Sequence, residues 1–482
     1  MTGFSRVLHA EWTKFRTVLG WVTGTVAAAL LVVLFALLAG VSSNQKGAPP
    51  VPIGPGGGPV TDSFYFVHRP LDGNGSITVA ASSLTTSIPE GPGELRPGVV
   101  PWAKAGLIIK KNTNQGTPYA AIMVTAGHGV RMQDGYVNDT AGPPGGWLRL
   151  DRSGEAITGY SSTDGTHWAK VGTAHVDGLG PTVQAGLFVA SPASVQGMGT
   201  RSSVSTAVFT GLQPRAGWTG DQVGPESVTF SGYPQATSGS FTESGGTFTV
   251  TGAGDIAPAT RETLATGGTL GEILTGTFAA LIAVVVVGAL VITTEYRTNL
   301  IRVTLAAGPG RGRVLVGKAI VLGGVTFVAG LAGVAVAAPV GVRLARAYGV
   351  YVFPVTWATE LRVALGIAAL LATASILALS VGAMVRQSAV AVTTVIVAVV
   401  LPYVLIANPF MPASVADWLG RVTPAAAFAV QQTLVRYDQV ASIYTPYEGY
   451  FPLSPWAGLA VLAGYAAVSL AIAIVLLRRR DA

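Results

Sequence analysis

The residues best able to do chemistry are each limited by their spacing. GRVLVGKA, residues 312–319, follows a phosphate-binding loop as far as its lysine, but Ala319 stands where a Ser or Thr hydroxyl must hold magnesium. No strand precedes it and an apolar run follows, so Lys318 is expected to snorkel to a membrane surface rather than bind nucleotide. Trp102, Trp147, Trp168 and Trp218 have rings that could stack on sugars. Trp102 and Trp168 are the named candidates, although core packing is the commoner fate of tryptophan in a β-rich region. Asp72-Gly73-Asn74-Gly75-Ser76 lacks a full acidic calcium loop and reads as a hairpin turn. His128, His167 and His175 show no metal-ligand spacing. Asp151, Glu155 and Asp164 lie in turn-rich sequence that does not fix a glycosidase distance between them. No catalytic residue and no metal site is assigned.

A stronger constellation lies at residues 281–318. An apolar run ends at Thr293-Thr294, and Glu295, Arg297 and Arg302 follow. Gly308-Pro309-Gly310 breaks the chain, Arg311 and Arg313 come next, and a second apolar run begins near Val314. This is a membrane hairpin with a basic tip, and basic short loops face the cytoplasm. Thr298 can cap a helix of about ten residues carrying Leu300, Ile301, Val303 and Leu305, with Gly308 as its stop. Those apolar side chains need a surface to rest on. Lipid headgroups are the plainest one.

Stepping outward, composition fixes the class. Half the residues are hydrophobic, 11% are charged and there is no cysteine; the mean hydropathy is +0.51. Several runs exceed the roughly 18 apolar residues needed to cross a bilayer. In such a chain a net charge of +7 marks cytoplasmic loops, so no nucleic-acid partner is expected. The missing cysteine excludes disulfides, thiolate metal sites and a thiol nucleophile.

In order, residues 1–17 form an amphipathic helix at the inner membrane surface. Phe4, Leu8, Trp12 and Phe15 share its apolar face, Lys14 and Arg16 lie toward headgroups, and Glu11 sits at the border with no assigned role. Residues 18–41 are the first span; the run is longer than a signal-peptide core. Residues 42–60 form a Pro/Gly linker without core-forming content. Residues 61–258 alternate short β-type runs with Gly, Asp-Gly and Ser-Gly turns, the pattern of an antiparallel sandwich outside the membrane.

Further spans follow at 270–294, 314–340, 361–384, 388–407 and 456–477, with a coupling loop at 295–313 and an extracellular or re-entrant stretch at 408–455. Arg343, Arg346, Tyr348, Tyr351 and Trp357 are expected in the loop after residue 340. The fold class is therefore an α-helical membrane protein of six transmembrane helices with an inserted all-β sandwich. Six spans put both termini inside, where Arg6, Lys14, Arg16, Arg386 and Arg478 to Arg480 make every segment basic. Residues 42–269 then lie outside a plasma membrane.

The opening Ala10-Glu11-Trp12-Thr13-Lys14-Phe15-Arg16 and the hairpin Glu295-Tyr296-Arg297-Thr298-Asn299-Leu300-Ile301-Arg302 resemble type 2 ABC transporter permeases of the export kind. The resemblance covers residues 1–41 and 270–482. It implies that residues 298–307 form a coupling helix seated in a separate ATPase subunit, with Glu295, Arg297, Leu300, Ile301, Arg302 and Leu305 as its contacts. It also implies a second permease copy or homologue, surrounding membrane lipids, and ATP with magnesium in the partner rather than in this chain.

Residues 61–210 resemble concanavalin A-like or laminin-G-like jelly rolls through Trp102 to Leu107, Tyr160 to Trp168 and Val183 to Val189. The expected function is the permease of an ATP-driven exporter of an apolar or amphiphilic substrate. The alternatives are a membrane-anchored outer domain for carbohydrate binding or sensing and, behind it, a membrane-tethered glycosidase.

Overall fold

Among the described residues, six helices are long and apolar enough to cross a membrane. The structure is a computed structural model that describes residues 3–42, 44–91, 94–196, 199–214, 217–224, 239–264, 266–300, 310–408 and 411–479. The chain divides into a helical unit (1–48, 265–435 and 444–482) and a β unit (49–264 with 436–443).

In the helical unit, α1 (Gly3–Thr17) precedes α2 (Leu19–Ser42). The short α3 (Leu270–Ile273) is opened by a capping box between Thr269 and Glu272. Then follow α4 (Gly276–Arg297), α5 (Arg311–Ala347), α6 (Trp357–Val385), α7 (Ser388–Ile406), α8 (Ala413–Val422) and α9 (Pro455–Arg479). The candidate spans are α2, α4, α5, α6, α7 and α9. At 37 residues α5 exceeds its expected bounds at both ends. Arg343 and Arg346, expected in a loop, lie within its last turns.

Small residues let these helices approach closely, as membrane helices require in the absence of a hydrophobic drive between them. A Cβ on Gly288 of α4 would stand 2.4 Å from the Ser375 carbonyl oxygen of α6. Thr326 of α5 and Ser375 exchange a buried hydroxyl–hydroxyl bond of 3.1 Å. The stretch after α8 is a 3₁₀ helix, Pro424–Gln431, whose eight residues are all buried. Such runs rarely exceed three or four residues, so tertiary packing must hold this one. Gly458 of α9 makes room for it: a Cβ there would stand 2.1 Å from the Ala426 carbonyl oxygen.

The β unit is a sandwich of two antiparallel sheets. One has seven strands in the order Thr219–Val223, Phe64–Asp72, Thr182–Ala190, Lys104–Lys110, Tyr119–Thr125, Gly129–Asp134, Asn138–Ala141. The path of the other runs Ala169–His175, Ala156–Ser162, Trp147–Ser153, Gly75–Gly91, Val204–Thr210, Thr247–Gly252, Ser240–Ser244, with Glu94–Gly98 paired to Gly75–Gly91. Val67, Leu107, Ile109 and Leu187 of the first sheet share a core with Val79, Leu150, Phe209 and Phe248 of the second.

Phe64, Phe66, Ile108 and Phe188 point the other way, and with Val60, Tyr136 and Ile256 they build a second core. The central strands of the seven-stranded sheet are thus buried on both faces, which explains why Lys104–Lys110 is buried throughout. Its two lysines are neutralised there. Lys104 Nζ lies 2.7 Å from Asp255, and Lys110 Nζ lies 2.8 Å from Asp62. Residues 49–60, expected to be a bare linker, belong to this unit. Val60 is in the second core, paired opposite Pro258.

Part of the outer face of the larger sheet carries rows of hydroxyls. Thr158 bonds Thr173 at 3.0 Å, Thr206 bonds Thr251 at 2.9 Å, and Thr85 donates to the Thr206 carbonyl.

Candidate functional site

The site begins with one lysine that the sequence placed at a membrane surface. Lys318 lies in the second turn of α5 and is 2% exposed. Its Nζ is 2.7 Å from Glu11 Oε2 of α1 and 2.6 Å from Glu295 Oε1, in the last turn of α4. Lys14 Nζ completes the cluster at 3.2 Å from Glu11 Oε1 and 3.3 Å from Glu295 Oε1. Two carboxylates and two ammonium groups thus join three helices with no net charge.

Buried charges are tolerated only when each is paired. Glu295 needs this most, because a carboxylate at a helix C-terminus also opposes the helix dipole. Its second oxygen, Oε2, is buried without a hydrogen bond. The helices meet here because Gly317 lets α1 approach: a Cβ there would stand 2.9 Å from Val7 Cγ1.

The sequence reading of α1 changes accordingly. Glu11, at 5% exposure, belongs to the protein-facing side with Phe15, whereas Trp12 is 45% exposed and Arg16 is exposed. Phe15 packs in a cluster with Trp21, Val291, Leu315 and Leu322. On the other side of α4, the Arg386 guanidinium lies 5.0 Å from the centre of the Tyr296 ring. Arg386 itself takes the left-handed conformation that ends α6.

Past Glu295 the chain leaves the cluster. Arg297 is exposed, as is Leu300 at 55%. Thr298, expected to open the next helix, closes α4 instead: its hydroxyl donates to the Thr294 carbonyl at 2.9 Å. Ile301, Arg302, Val303, Leu305 and Gly308 lie outside the described residues. The phosphate-loop resemblance at 312–319 falls within the helix α5, which offers no loop of free amides.

In the β unit, Trp102 is 8% exposed and stacks on His128 with ring centres 3.9 Å apart. Trp168 is half-buried. Strand pairing does assemble a group that sequence spacing missed: Glu155, His175 and Asp177, exposed, with ligand atoms within 4.8 Å of one another. His175 Nε2 lies 3.4 Å from Asp177 Oδ1, and Glu155 Oε1 accepts from the Gly178 N–H. Mutual pairing accounts for this arrangement. At the Asp164 turn, the His167 N–H, the His167 ring and the Thr166 N–H hold the Asp164 carboxyl well below the usual carboxylate range. The bond to Asp164 in turn pushes the His167 imidazole up.

These features define a multi-pass membrane protein with an inserted β domain, whose ordered charges lie at the base of a helical hairpin. The profile of ABC-2 family transporter proteins matches residues 131–482, well over half of the chain, and the chain belongs to that family. It is therefore the membrane subunit type of an ABC system, not the catalytic one. No curated protein matches it. Among solved structures, the crystal structure of a mutant GH43 protein, BlXynB, from Bacillus licheniformis is similar at 14% identity, over 26% of this chain and 24% of that one, with a TM-score of 0.16. The chain thus spans about a quarter of that protein, too little and too distant to bear on activity.

Proposed function

We propose that this chain is the permease subunit of an ATP-driven exporter, working with a second permease copy or homologue and with separate ATPase subunits that hold ATP and magnesium. The observation that carries this is the cluster of Glu11, Lys14, Glu295 and Lys318. It fastens both roots of the 295–313 loop to the N-terminal helix. A loop that receives force from an ATPase needs such a rigid base, whereas a plain anchor for an outer domain has no use for one.

In this reading both termini and the loop face the cytoplasm and residues 42–269 form an extracellular jelly-roll insert. Leu300, Ile301 and Leu305 are the apolar contacts of the coupling helix, with Arg297 and Arg302 at its rim. Trp168 remains the candidate sugar contact of the insert. The apolar interior favours an apolar or amphiphilic substrate. The test is co-purification of an ATPase with the full chain, and its loss on replacing the coupling leucines. If the full chain carries no ATPase, the anchored-sensor reading gains.

A further inference from the structure

The helical unit contains a cavity of about 620 Å³ bounded by α2, α4, α7 and the 3₁₀ segment. Phe35, Phe278, Ile282, Tyr403, Phe428 and Gln431 shape it. Three rings form one wall: Tyr403 and Phe428 stack at 3.9 Å, and Phe278 lies 5.7 Å from Tyr403 and 6.5 Å from Phe428. No acidic or basic side chain is among the described lining residues.

One lining group is out of place in such a wall. Gln431 is 7% exposed, and its Nε2 has no hydrogen-bond acceptor. A buried amide donor left unpaired is costly, and folding could have avoided it with an apolar residue of similar size.

Resting on the exporter reading, we infer that this cavity is a binding site for an uncharged amphiphile, whose chain lies against the three rings and whose carbonyl or ester oxygen accepts from Gln431 Nε2 once a turn of the buried amide brings that atom to the cavity surface. The volume suits a single-chain or drug-sized molecule rather than a whole bilayer lipid. A carboxylate, phosphate or ammonium head is disfavoured, because the wall offers no opposite charge to replace its hydration. The 3₁₀ geometry is part of the site. It sets Phe428 and Gln431 three residues apart, one turn of that helix, so ring and amide face the same space.

The test uses the full chain in phosphatidylcholine nanodiscs and two photoreactive probes, a diazirine-bearing monoacylglycerol and a diazirine-bearing alkane, with adducts mapped by mass spectrometry. Monoacylglycerol adducts are expected on Phe278, Tyr403 and Phe428. Unlabelled monolauroylglycerol should displace them, and equimolar laurate should not. Gln431→Leu should lower monoacylglycerol labelling about tenfold while alkane labelling stays, which also shows that the wall is intact. Ile282→Trp, filling the cavity from α4, should abolish labelling there by both probes.

The inference is overturned if Gln431→Leu leaves monoacylglycerol labelling unchanged, if laurate competes equally, if Ile282→Trp retains the adducts, or if adducts spread along exposed Leu30, Leu34 and Leu38 of α2. None of these readouts needs an ATPase. Failure of the exporter reading would show separately, as a missing partner with cavity labelling intact.

Discussion

Lys318 Nζ sits 2.6 Å from Glu295 Oε1, although the two residues are 23 positions apart and the whole basic tip lies between them. The pair closes the base of the hairpin, and Glu11 ties that closure to the N-terminal helix.

Lys318→Met should therefore leave Glu11 and Glu295 with only the partly exposed Lys14. Removing one member of a buried charge group costs about 3–5 kcal/mol. A marked fall in melting temperature of the detergent-purified chain is expected. Combining it with Glu11→Gln and Glu295→Gln should restore most of the loss, since the one charge that remains, on Lys14, is partly exposed and open to water. A single mutant as stable as the wild type would show that the cluster bears no strain.

The coupling loop gives a second test. Leu300→Asp with Leu305→Asp should release the ATPase partner, since each fully buried leucine contributes about 1.5–3 kcal/mol. Arg302→Ala should weaken association mainly through rate and salt dependence. Pull-down from detergent with ATP turnover measures both. Retention of the partner by the double Asp variant would remove the loop from the coupling path.

Topology is directly accessible because the chain has no cysteine. An impermeant thiol reagent applied to intact cells should modify Thr163→Cys and spare Gly310→Cys. Modification at Gly310 would reverse the orientation.

The Asp164–His167 turn predicts a local pH response. The His167 pKa is raised, so its contribution is complete below the unfolded value of about 6.5 and is lost as pH rises through the higher folded value. The Asp164 pKa is depressed, so its contribution is present above about 3.9 and is lost only as pH falls through the lower folded value. An NMR titration of histidine-labelled protein should find His167 titrating above an ordinary histidine, and Asp164→Asn should bring it down. Both groups are exposed, so global stability should hardly respond.

Much of the architecture was legible because it rests on local pattern. Long apolar runs mark the helices of the membrane unit, and Gly-bounded five-to-eight-residue runs mark the sandwich. What escaped depends on partners far away in sequence. Glu11 and Lys318 are 307 positions apart, and neither helix face alone reveals that both side chains turn inward. Residues 49–60 read as linker by composition, but Val60 finds its place only against Phe64, Tyr136 and Ile256. The Trp102 ring reads from sequence as either core or sugar platform, and its stacking on His128 depends on a residue 26 positions away. Arg343 and Arg346 suggested a loop by charge, whereas α5 carries them on as helix.

The hydroxyl-bearing part of the larger sheet's outer face carries one more implication. Rows of hydroxyls can exchange hydrogen bonds with water or with a polyol, but they supply almost none of the apolar area at the heart of protein–protein contacts. Where those hydroxyls lie, the face is a wettable one. Two β units meeting there have little to gain by sticking, so this patch should resist self-association.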